Sequence, residues 1–278
     1  MICTVNAQEV CYDELGCFNR GGYFGDARHR PISVVPQSPE KIYTRFLLYT
    51  KPNLIEPQIL NKSIQSIAYS NFNINRPTKI LVAGFLFTNV MGSYQQESFQ
   101  QLIRSYLKAG DYNVILCDWG NGASTWYFQA SANSRVVGAE IANFLKLMAQ
   151  VTGLRMQDVH VVGHSLGAHV AGYTGERIHN LGRITALDPA KPYFEATHPS
   201  VRLDPSDALY VDVVHSDASI KNGALFSLGT RQLMDDVDFY PNNGDFQSDC
   251  DTQPLKSLLR GTGIVGTIRD TVKCFSLC

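Results

Sequence analysis

The chain has 278 residues, of which 44% are hydrophobic and 18% charged, a composition that is typical of a globular protein and excludes a disordered one. Its 24 Lys and Arg residues nearly balance its 25 Asp and Glu residues, which leaves a formal net charge of −1. No basic excess is therefore available for a phosphate backbone, and we expect no nucleic-acid partner. No apolar run approaches the roughly 20 residues that a transmembrane helix requires.

The chain alternates between strand-like and helix-like patterns. Apolar, β-branched runs predict strands over Lys79–Phe85, Asn113–Trp119, Asp158–Val162, Arg183–Leu187 and Ala208–Val214. Apolar residues at helical spacing predict helices over Tyr94–Ala109, Ser134–Val151 and Leu166–His179. This alternation predicts an α/β fold with a mostly parallel sheet covered by helices on both faces. The first 75 residues are less regular, and we expect them to wrap the sheet as extra strands and loops.

A Gly-x-Ser-x-Gly sequence lies between one of these strands and the following helix, at Gly163–Gly167. This arrangement is typical of a nucleophile elbow, in which flanking residues without side chains allow a sharp turn that lifts the serine hydroxyl above the sheet. The first N–H groups of the new helix would then face the site and stabilise an oxyanion. We therefore predict that Ser165 is a nucleophile; the alternative is a buried serine in an ordinary glycine-rich turn.

A serine nucleophile needs a base, and the base needs an orienting acid. Asp188 follows the next predicted strand, on the sheet edge where Ser165 should emerge, and is the candidate acid. Asp188 precedes a proline, so a turn-capping role is the alternative. The base is not evident from the residues: His164 and His169 lie too close to Ser165 in sequence, and the histidines beyond Asp188 are His198 and His215, of which His215 suits a core position.

Seven cysteines are many for a cytosolic enzyme of this size. The sequence contains no Cys-x-x-Cys pair, so we do not expect a structural metal site at the cysteines. We expect disulfides in an oxidising compartment and therefore secretion. The first residues lack the charged start and apolar core of a signal peptide, so either the protein is not secreted or the chain begins downstream of its signal peptide.

The sequence resembles the lipase domain of the pancreatic-lipase family over about residues 9–274. The motifs that carry this resemblance are VCYDELGC from Val10, TRFLLYT from Thr44, GHSLGAH from Gly163, GRITALDPA from Gly182 and VRLDPSDA from Val201. The resemblance implies an α/β-hydrolase fold and a secreted carboxyl-ester hydrolase of triglycerides or phospholipids. We expect one lipase domain over residues 1–278.

The same resemblance assigns roles to individual residues. Ser165 and Asp188 match the family nucleophile and triad acid, and the oxyanion-hole N–H groups fall on Phe85 and Leu166. Position 83 departs from the family pattern, since Ala83 replaces a histidine, but main-chain donors survive that change. A structural Ca²⁺ is implied in the loop after the acid, because oxygen ligands from a short loop suit this ion. Its expected ligands are the carboxylates of Asp204 and Asp207 and the main-chain carbonyls of Arg202 and near Pro199.

The cysteines also match the family. The resemblance pairs Cys11 with Cys17, and Cys250 with Cys274 at the base of a lid over residues 251–273. A lid of this length is similar to those of triglyceride lipases, whereas a very short lid would favour phospholipase A1. Cys117 lies in an apolar strand and is predicted to be a buried free thiol.

One catalytic position departs from the family. The family base is a histidine two residues after the last lid cysteine, and Ser276 stands there instead. The family's C-terminal β-sandwich domain, which helps to dock colipase or lipid, does not follow, so we expect an incomplete copy of a secreted lipase that engages colipase only in a full-length form. Such a chain is expected to be a very poor enzyme, since losing a triad base costs about 10⁶ in turnover. A catalytically silent lipid-binding protein is the alternative.

Overall fold

The computed structural model describes residues 8–86, 94–218 and 228–245. Its helices are α1 (Pro39–Ile42), α2 (Ile64–Ala68), α3 (Tyr94–Ala109), α4 (Gly120–Ala123), α5 (Tyr127–Thr152) and α6 (Leu166–Gly175). Its strands are β1 (Glu9–Tyr12), β2 (Gly16–Asn19), β3 (Arg45–Tyr49), β4 (Gln58–Ile59), β5 (Thr78–Val82), β6 (Asn113–Asp118), β7 (Val159–His164), β8 (Arg183–Leu187), β9 (Val211–Val214) and β10 (Val237–Phe239).

Eight of these strands form one sheet in the order β10-β9-β8-β7-β5-β6-β3-β4. The six strands from β10 to β6 run parallel, and β3 and β4 add an antiparallel edge. The predicted mostly parallel sheet is therefore confirmed, and so is the expectation that the N-terminal part of the chain supplies extra strands. In this order β7 lies inside the sheet between β5 and β8, so the turn that follows β7 opens at the middle of one sheet edge.

The two faces of the sheet have separate apolar cores, as the sequence predicts. On one face α5 and α6 pack against alternate residues of the strands, including Ile80, Val161 and Ile184, in the larger core. On the other face α3 places Phe99, Ile103 and Leu107 against the remaining strand side chains. Alternate strand residues point to opposite faces, which is why both sets are apolar.

Some element ends differ from the predicted ones. Helix α5 begins at Tyr127 rather than Ser134, because the intervening small and polar residues carry no apolar periodicity although most of them are buried in the helix. Helix α6 ends at Gly175 rather than His179. Strand β9 begins only at Val211, because the chain before it is still in the turn that follows Asp207.

The N-terminal hairpin of β1 and β2 packs on the side of the sheet that α5 and α6 cover. Cys11 and Cys17 lie opposite each other in the hairpin and form a disulfide, which confirms the predicted pairing. The side chain of Asn143 on α5 donates a hydrogen bond of 2.9 Å to the Glu14 carbonyl, which joins the hairpin to this helix. The thiol of Cys117 is free and buried, also as predicted.

No helix among the described residues combines the length and the apolarity that crossing a bilayer requires. The longest of them, α5, has 26 residues.

The crossing of α5 and α6 is tightly packed at Gly138. A Cβ atom at this position would lie 2.5 Å from the Cβ of Tyr173, so a side chain here must push the two helices apart. We expect Gly138→Ala to lower the free energy of unfolding by about 1–3 kcal/mol, the usual cost of overpacking a core. The exposed change Gln150→Ala on the same helix is the control and should stay within about 0.5 kcal/mol. Equal urea midpoints for the two variants would contradict this packing.

Candidate active site

Ser165 occupies the sharp turn between β7 and α6, as the sequence predicts. β7 ends at His164, α6 begins at Leu166, and the Ser165 backbone has φ 54° and ψ −118°. A residue with a Cβ rarely adopts this conformation, which costs about 1–3 kcal/mol and persists only where the surroundings impose it. Ser165 is half-buried, whereas every neighbour from Val159 to Val170 is buried, so the turn gives this one side chain access to solvent.

The two glycines of the motif have steric roles. A Cβ on Gly163 would lie 2.2 Å from the carbonyl oxygen of Gly167, and a Cβ on Gly167 would lie 2.3 Å from the carbonyl oxygen of Val82. Real Cβ atoms do not come this close to backbone oxygens. The turn therefore forms only when both positions lack side chains, and α6 can then start directly above β5 and β7.

The segment after β5 lies against the turn. A Cβ on Gly84 would be 2.9 Å from the Ser165 Cβ and 3.3 Å from the Leu166 nitrogen. This segment is held from behind, because the buried Trp119 indole donates a 2.9 Å hydrogen bond to the Ala83 carbonyl. The next residue, Phe85, is half-buried and packs edge-on against the Tyr127 ring at 5.1 Å between centroids.

Asp188 directly follows β8, next to the serine turn. In the sheet His164 pairs with Leu187, and the Ser165 amide donates to the Leu187 carbonyl at 2.9 Å, so the residues after both strands emerge side by side. The Asp188 side chain is buried, and its Oδ1 accepts hydrogen bonds from the amides of Ser216 (3.1 Å) and Asp217 (2.9 Å). Burial raises the pKa of Asp188 to about 6, although the two amide donors act in the opposite direction.

All seven histidines of the sequence lie in the described part of the chain, and five of them have hydrogen-bond partners other than Ser165. His215 is fully buried, and its ring bonds to the Thr230 carbonyl and the Asp238 carboxylate. His169 contacts the Ala190 carbonyl at 2.9 Å, and burial lowers its pKa to about 3. Burial also lowers the pKa of His164 to about 4, so it is neutral near pH 7.

The remaining histidines are near other elements. His160 contacts Lys79 and Thr185 from the body of the sheet. The His198 ring stacks on Tyr23 at 3.7 Å. His29 bonds to Asp26, and His179 lies exposed just after α6. None of these contacts joins a histidine to Ser165, so they do not identify a base.

The loop expected to bind calcium places one carboxylate in an unusual position. Asp207 is buried; its Oδ2 accepts a 2.9 Å hydrogen bond from the Asp204 amide, and its Oδ1 is buried with no hydrogen-bond partner in the described structure. Burial raises the pKa of Asp207 to about 8. Asp204 and Asp207 line one cavity of about 790 Å³, together with Pro199.

Pro199 and Arg202, the other two residues expected in this loop, make hydrogen bonds with neighbouring backbone groups. The Pro199 carbonyl accepts the Arg202 amide at 3.0 Å within a short turn. The Arg202 guanidinium donates to the carbonyls of Thr197 and Leu203, at 3.3 Å and 2.8 Å.

Several contacts at the site were not found from the sequence. A Cβ on Gly229 would lie 2.4 Å from Asp188 Oδ1, so a glycine from a distant segment makes room for this carboxylate. Trp119 and Tyr127 likewise reach the site from other elements. Only a tertiary structure could identify them, because no local pattern marks these positions. The Cys250–Cys274 pair, the lid over residues 251–273 and Ser276 lie outside the described residues.

Together, the mainly parallel sheet, the helices on both of its faces and the serine on a strained strand–helix turn define an α/β-hydrolase fold. The family described as Lipase matches residues 8–277. The chain therefore belongs to the lipase family, which confirms the resemblance noted in its sequence.

Curated relatives agree with this family and differ in their activity. Inactive pancreatic lipase-related protein 1 of Mus musculus is 40% identical over 272 residues, which are 98% of this chain and 56% of that protein. Pancreatic triacylglycerol lipase of Homo sapiens is 39% identical over 274 residues, 98% of this chain and 57% of that protein. Pancreatic lipase-related protein 2 of Bos taurus is 40% identical over 280 residues, 100% of this chain and 58% of that protein.

The chain thus spans a little over half the length of these relatives. Since proteins named as lipases and as inactive lipase relatives are equally similar to it, overall identity does not decide whether it is active. Among solved structures, the Pyrococcus furiosus esterase Pf2001 has a TM-score of 0.38 at 13% identity, over 71% of this chain and 80% of its own, a similarity too low to add to the assignment.

Because the backbone of Ser165 is strained, glycine should be more stabilising than alanine at this position, the reverse of their usual order within a helix. Ser165→Gly should relieve the positive φ, whereas Ser165→Ala keeps the Cβ and the strain, so we expect the glycine variant to be the more stable by about 1 kcal/mol in urea unfolding. The control pair is Ser134→Gly and Ser134→Ala within α5, where alanine should be the more stable by about 1 kcal/mol. The same order at both positions would show that Ser165 is not strained.

The buried Asp188 carboxyl predicts a pH dependence of stability. Its pKa rises from 3.8 to about 6 on folding, so between these values the folded chain binds a proton that the unfolded chain has released. Stability should therefore fall as the pH rises through this window, by about 3 kcal/mol for this group. We expect Asp188→Asn to remove that fall in urea unfolding measured from pH 4 to 7; an unchanged pH slope would refute it.

Proposed function

We propose that the chain is the catalytic domain of a carboxyl-ester hydrolase that attacks triacylglycerol at a lipid–water interface, with Ser165 as nucleophile. The observation that carries this proposal is the backbone of Ser165, whose strained turn raises a hydroxyl at the carboxyl edge of the sheet. A serine without a chemical role would gain stability by leaving that conformation.

In this proposal Ser165 Oγ attacks the ester carbonyl carbon and forms a tetrahedral intermediate. The amides of Phe85 and Leu166 donate to its oxyanion, an assignment supported by the close approach of Gly84 to both Ser165 and the Leu166 nitrogen. Collapse of the intermediate releases the alcohol and leaves an acyl-enzyme, which water hydrolyses. Asp188 is the triad acid, supported by its place beside the serine turn and the two amides that fix its carboxylate.

We propose that this sequence lacks the triad base of its family. The family has a histidine at the position of Ser276, and a serine occupies that position here. A serine cannot accept the Ser165 proton near pH 7, so turnover by this sequence should be very low. This observation favours a second candidate function, that of a catalytically silent protein that binds lipid on a lipase fold.

Membership of the lipase family supports proposals about substrate class and cellular location. The separation of Cys250 and Cys274 suits a long lid, which favours triacylglycerol over phospholipid, with phospholipase A1 activity as the alternative. The Cys11–Cys17 disulfide supports secretion, because such bonds persist in oxidising compartments.

We also propose that the loop from Pro199 to Asp207 binds a structural Ca²⁺. The residues fit a cation, because Asp207 Oδ1 is buried without a hydrogen-bond donor and Asp204 lines the same cavity. Carboxylate and carbonyl oxygens are the ligands that Ca²⁺ prefers. Its contribution would be to hold the loop and the α6 residues that contact it behind the serine turn.

The proposed function is tested with a fluorophosphonate probe and a tributyrin assay. We expect the probe to modify Ser165 in Ser276→His, where a base can accept the hydroxyl proton, and Ser165→Ala in that background to remove the modification. Ser276→His should raise tributyrin hydrolysis by about 10²-fold or more, the usual gain from a general base. No labelling above that of the urea-unfolded chain, together with no gain from Ser276→His, would favour the silent lipid-binding protein.

Calcium binding is tested by thermal unfolding. Ca²⁺ at about 100 times its Kd should raise Tm by about 5 °C. Asp207→Asn should abolish that rise without lowering the Tm of the metal-free chain, since the amide keeps the size of a carboxyl that burial already holds mostly neutral. The control, Asp158→Asn, replaces an exposed carboxylate and should keep the response to Ca²⁺. A full response in Asp207→Asn would exclude this loop as the site.

A further inference from the structure

A mostly exposed tryptophan lies at the start of α5. The sequence has two tryptophans; Trp119 is fully buried, whereas 76% of Trp126 is exposed. A large aromatic side chain buries about 150–250 Å² when it finds a partner, so the exposed indole offers apolar surface for one to cover. Single exposed apolar residues are common, so the surroundings of Trp126 decide whether its exposure has a use.

The backbone around Trp126 is firmly held, so its exposure does not reflect a loose segment. Trp126 lies at the start of α5, and its carbonyl accepts the amides of Gln129 and Ala130, both at 2.9 Å. The hydroxyl of the next residue, Tyr127, donates a 2.9 Å hydrogen bond to the Pro192 carbonyl. The Phe128 ring lies nearly parallel to the indole at 6.4 Å between centroids, so the two rings form one aromatic surface, which we call the aromatic rim.

The aromatic rim lies beside the serine turn. Tyr127, between the two rim residues in sequence, packs its ring against Phe85, the residue after Gly84. The Leu86 amide donates a 3.1 Å hydrogen bond to the Ala123 carbonyl, which joins the segment before α5 to the segment that touches Ser165. An aggregate of substrate that covers the serine turn would therefore meet the aromatic rim.

The chemistry of this segment suits an uncharged partner. No charged residue occurs between Asp118 and Arg135, a stretch that contains the whole aromatic rim. Tryptophan is favoured at the boundary between an apolar phase and water, such as the surface of a lipid phase. An anionic surface would be met by basic residues, and this stretch has none.

We propose that Trp126 and Phe128 form an anchor that inserts into the surface of uncharged lipid and holds it over Ser165. This inference rests on the proposed lipase function and adds the residues by which the domain itself recognises the interface. Insertion removes the two rings from water and makes no ion pairs, so binding should be insensitive to salt.

Tryptophan fluorescence tests insertion directly, because the buried Trp119 is an internal control. Phosphatidylcholine vesicles with brominated acyl chains should quench the wild-type emission by about half relative to unbrominated vesicles. Trp126→Phe, which keeps only Trp119 as emitter, should lose the quenching. Equal quenching in Trp126→Phe and wild type, or no quenching in either, would overturn the anchor.

Vesicle sedimentation measures the contribution of the rim to binding. We expect Trp126→Ser with Phe128→Ser to lower the partition coefficient about tenfold or more, with the same result at low and high NaCl. Tyr69→Ser is the matched control and should leave partition unchanged, since it removes an 86% exposed aromatic residue that follows α2 and precedes β5, whereas the serine turn lies beyond the strand ends. Vesicle binding that the rim variants do not alter would place the interface elsewhere and overturn the proposal.

Failure of the anchor and failure of the proposed function give different results. Fluorophosphonate labelling of Ser165 without quenching of Trp126 would refute the anchor and leave the hydrolase proposal standing. Quenching of Trp126 without labelling would support the anchor on a silent lipid-binding protein. A concentration-dependent dimer that disappears in Trp126→Ser, seen by sedimentation velocity without lipid, would identify a second copy as the occupant and overturn the lipid assignment.

Discussion

The site depends on one backbone turn, the strained conformation of Ser165. It forms because Gly163 and Gly167 leave no side chain where β7, α6 and the end of β5 meet, with clearances of 2.2 and 2.3 Å for the missing Cβ atoms. The sheet order places the other residues of the site beside this turn. Because β7 lies between β5 and β8, the residues that follow all three strands lie at one edge of the sheet. The packing of α5 on α6 then fixes the helix that begins at the turn.

Two buried carboxyls, one beside the serine turn and one against the last turn of α6, show how the surroundings affect the charge of a carboxyl group. Asp188 and Asp207 both have a raised pKa because burial disfavours the carboxylate. At Asp188 two amides donate to one oxygen and partly oppose this rise in pKa. Asp207 has one amide and one buried oxygen without a partner, which is why a cation is the natural complement there.

The sequence predicted those parts of the site that local patterns determine. Ser165 and Asp188 follow strands whose apolar runs are short and unmistakable, so their place at the sheet edge could be predicted from register and direction alone. Gly229, Trp119 and Tyr127 could not, because each reaches the site from a distant segment and only tertiary packing reveals the approach. The exposed Trp126 was missed for a similar reason: it stands before the periodic part of α5, where no pattern marks it.

The central claim is that this chain builds a nucleophile turn and an oxyanion hole whether or not a base completes them. A crystal structure with a bound alkyl phosphonate tests it most directly. We expect a positive φ at Ser165, near 54°, and a phosphonate oxygen within hydrogen-bond reach of the amides of both Phe85 and Leu166. A negative φ at Ser165, or a phosphonate that contacts neither amide, would contradict it.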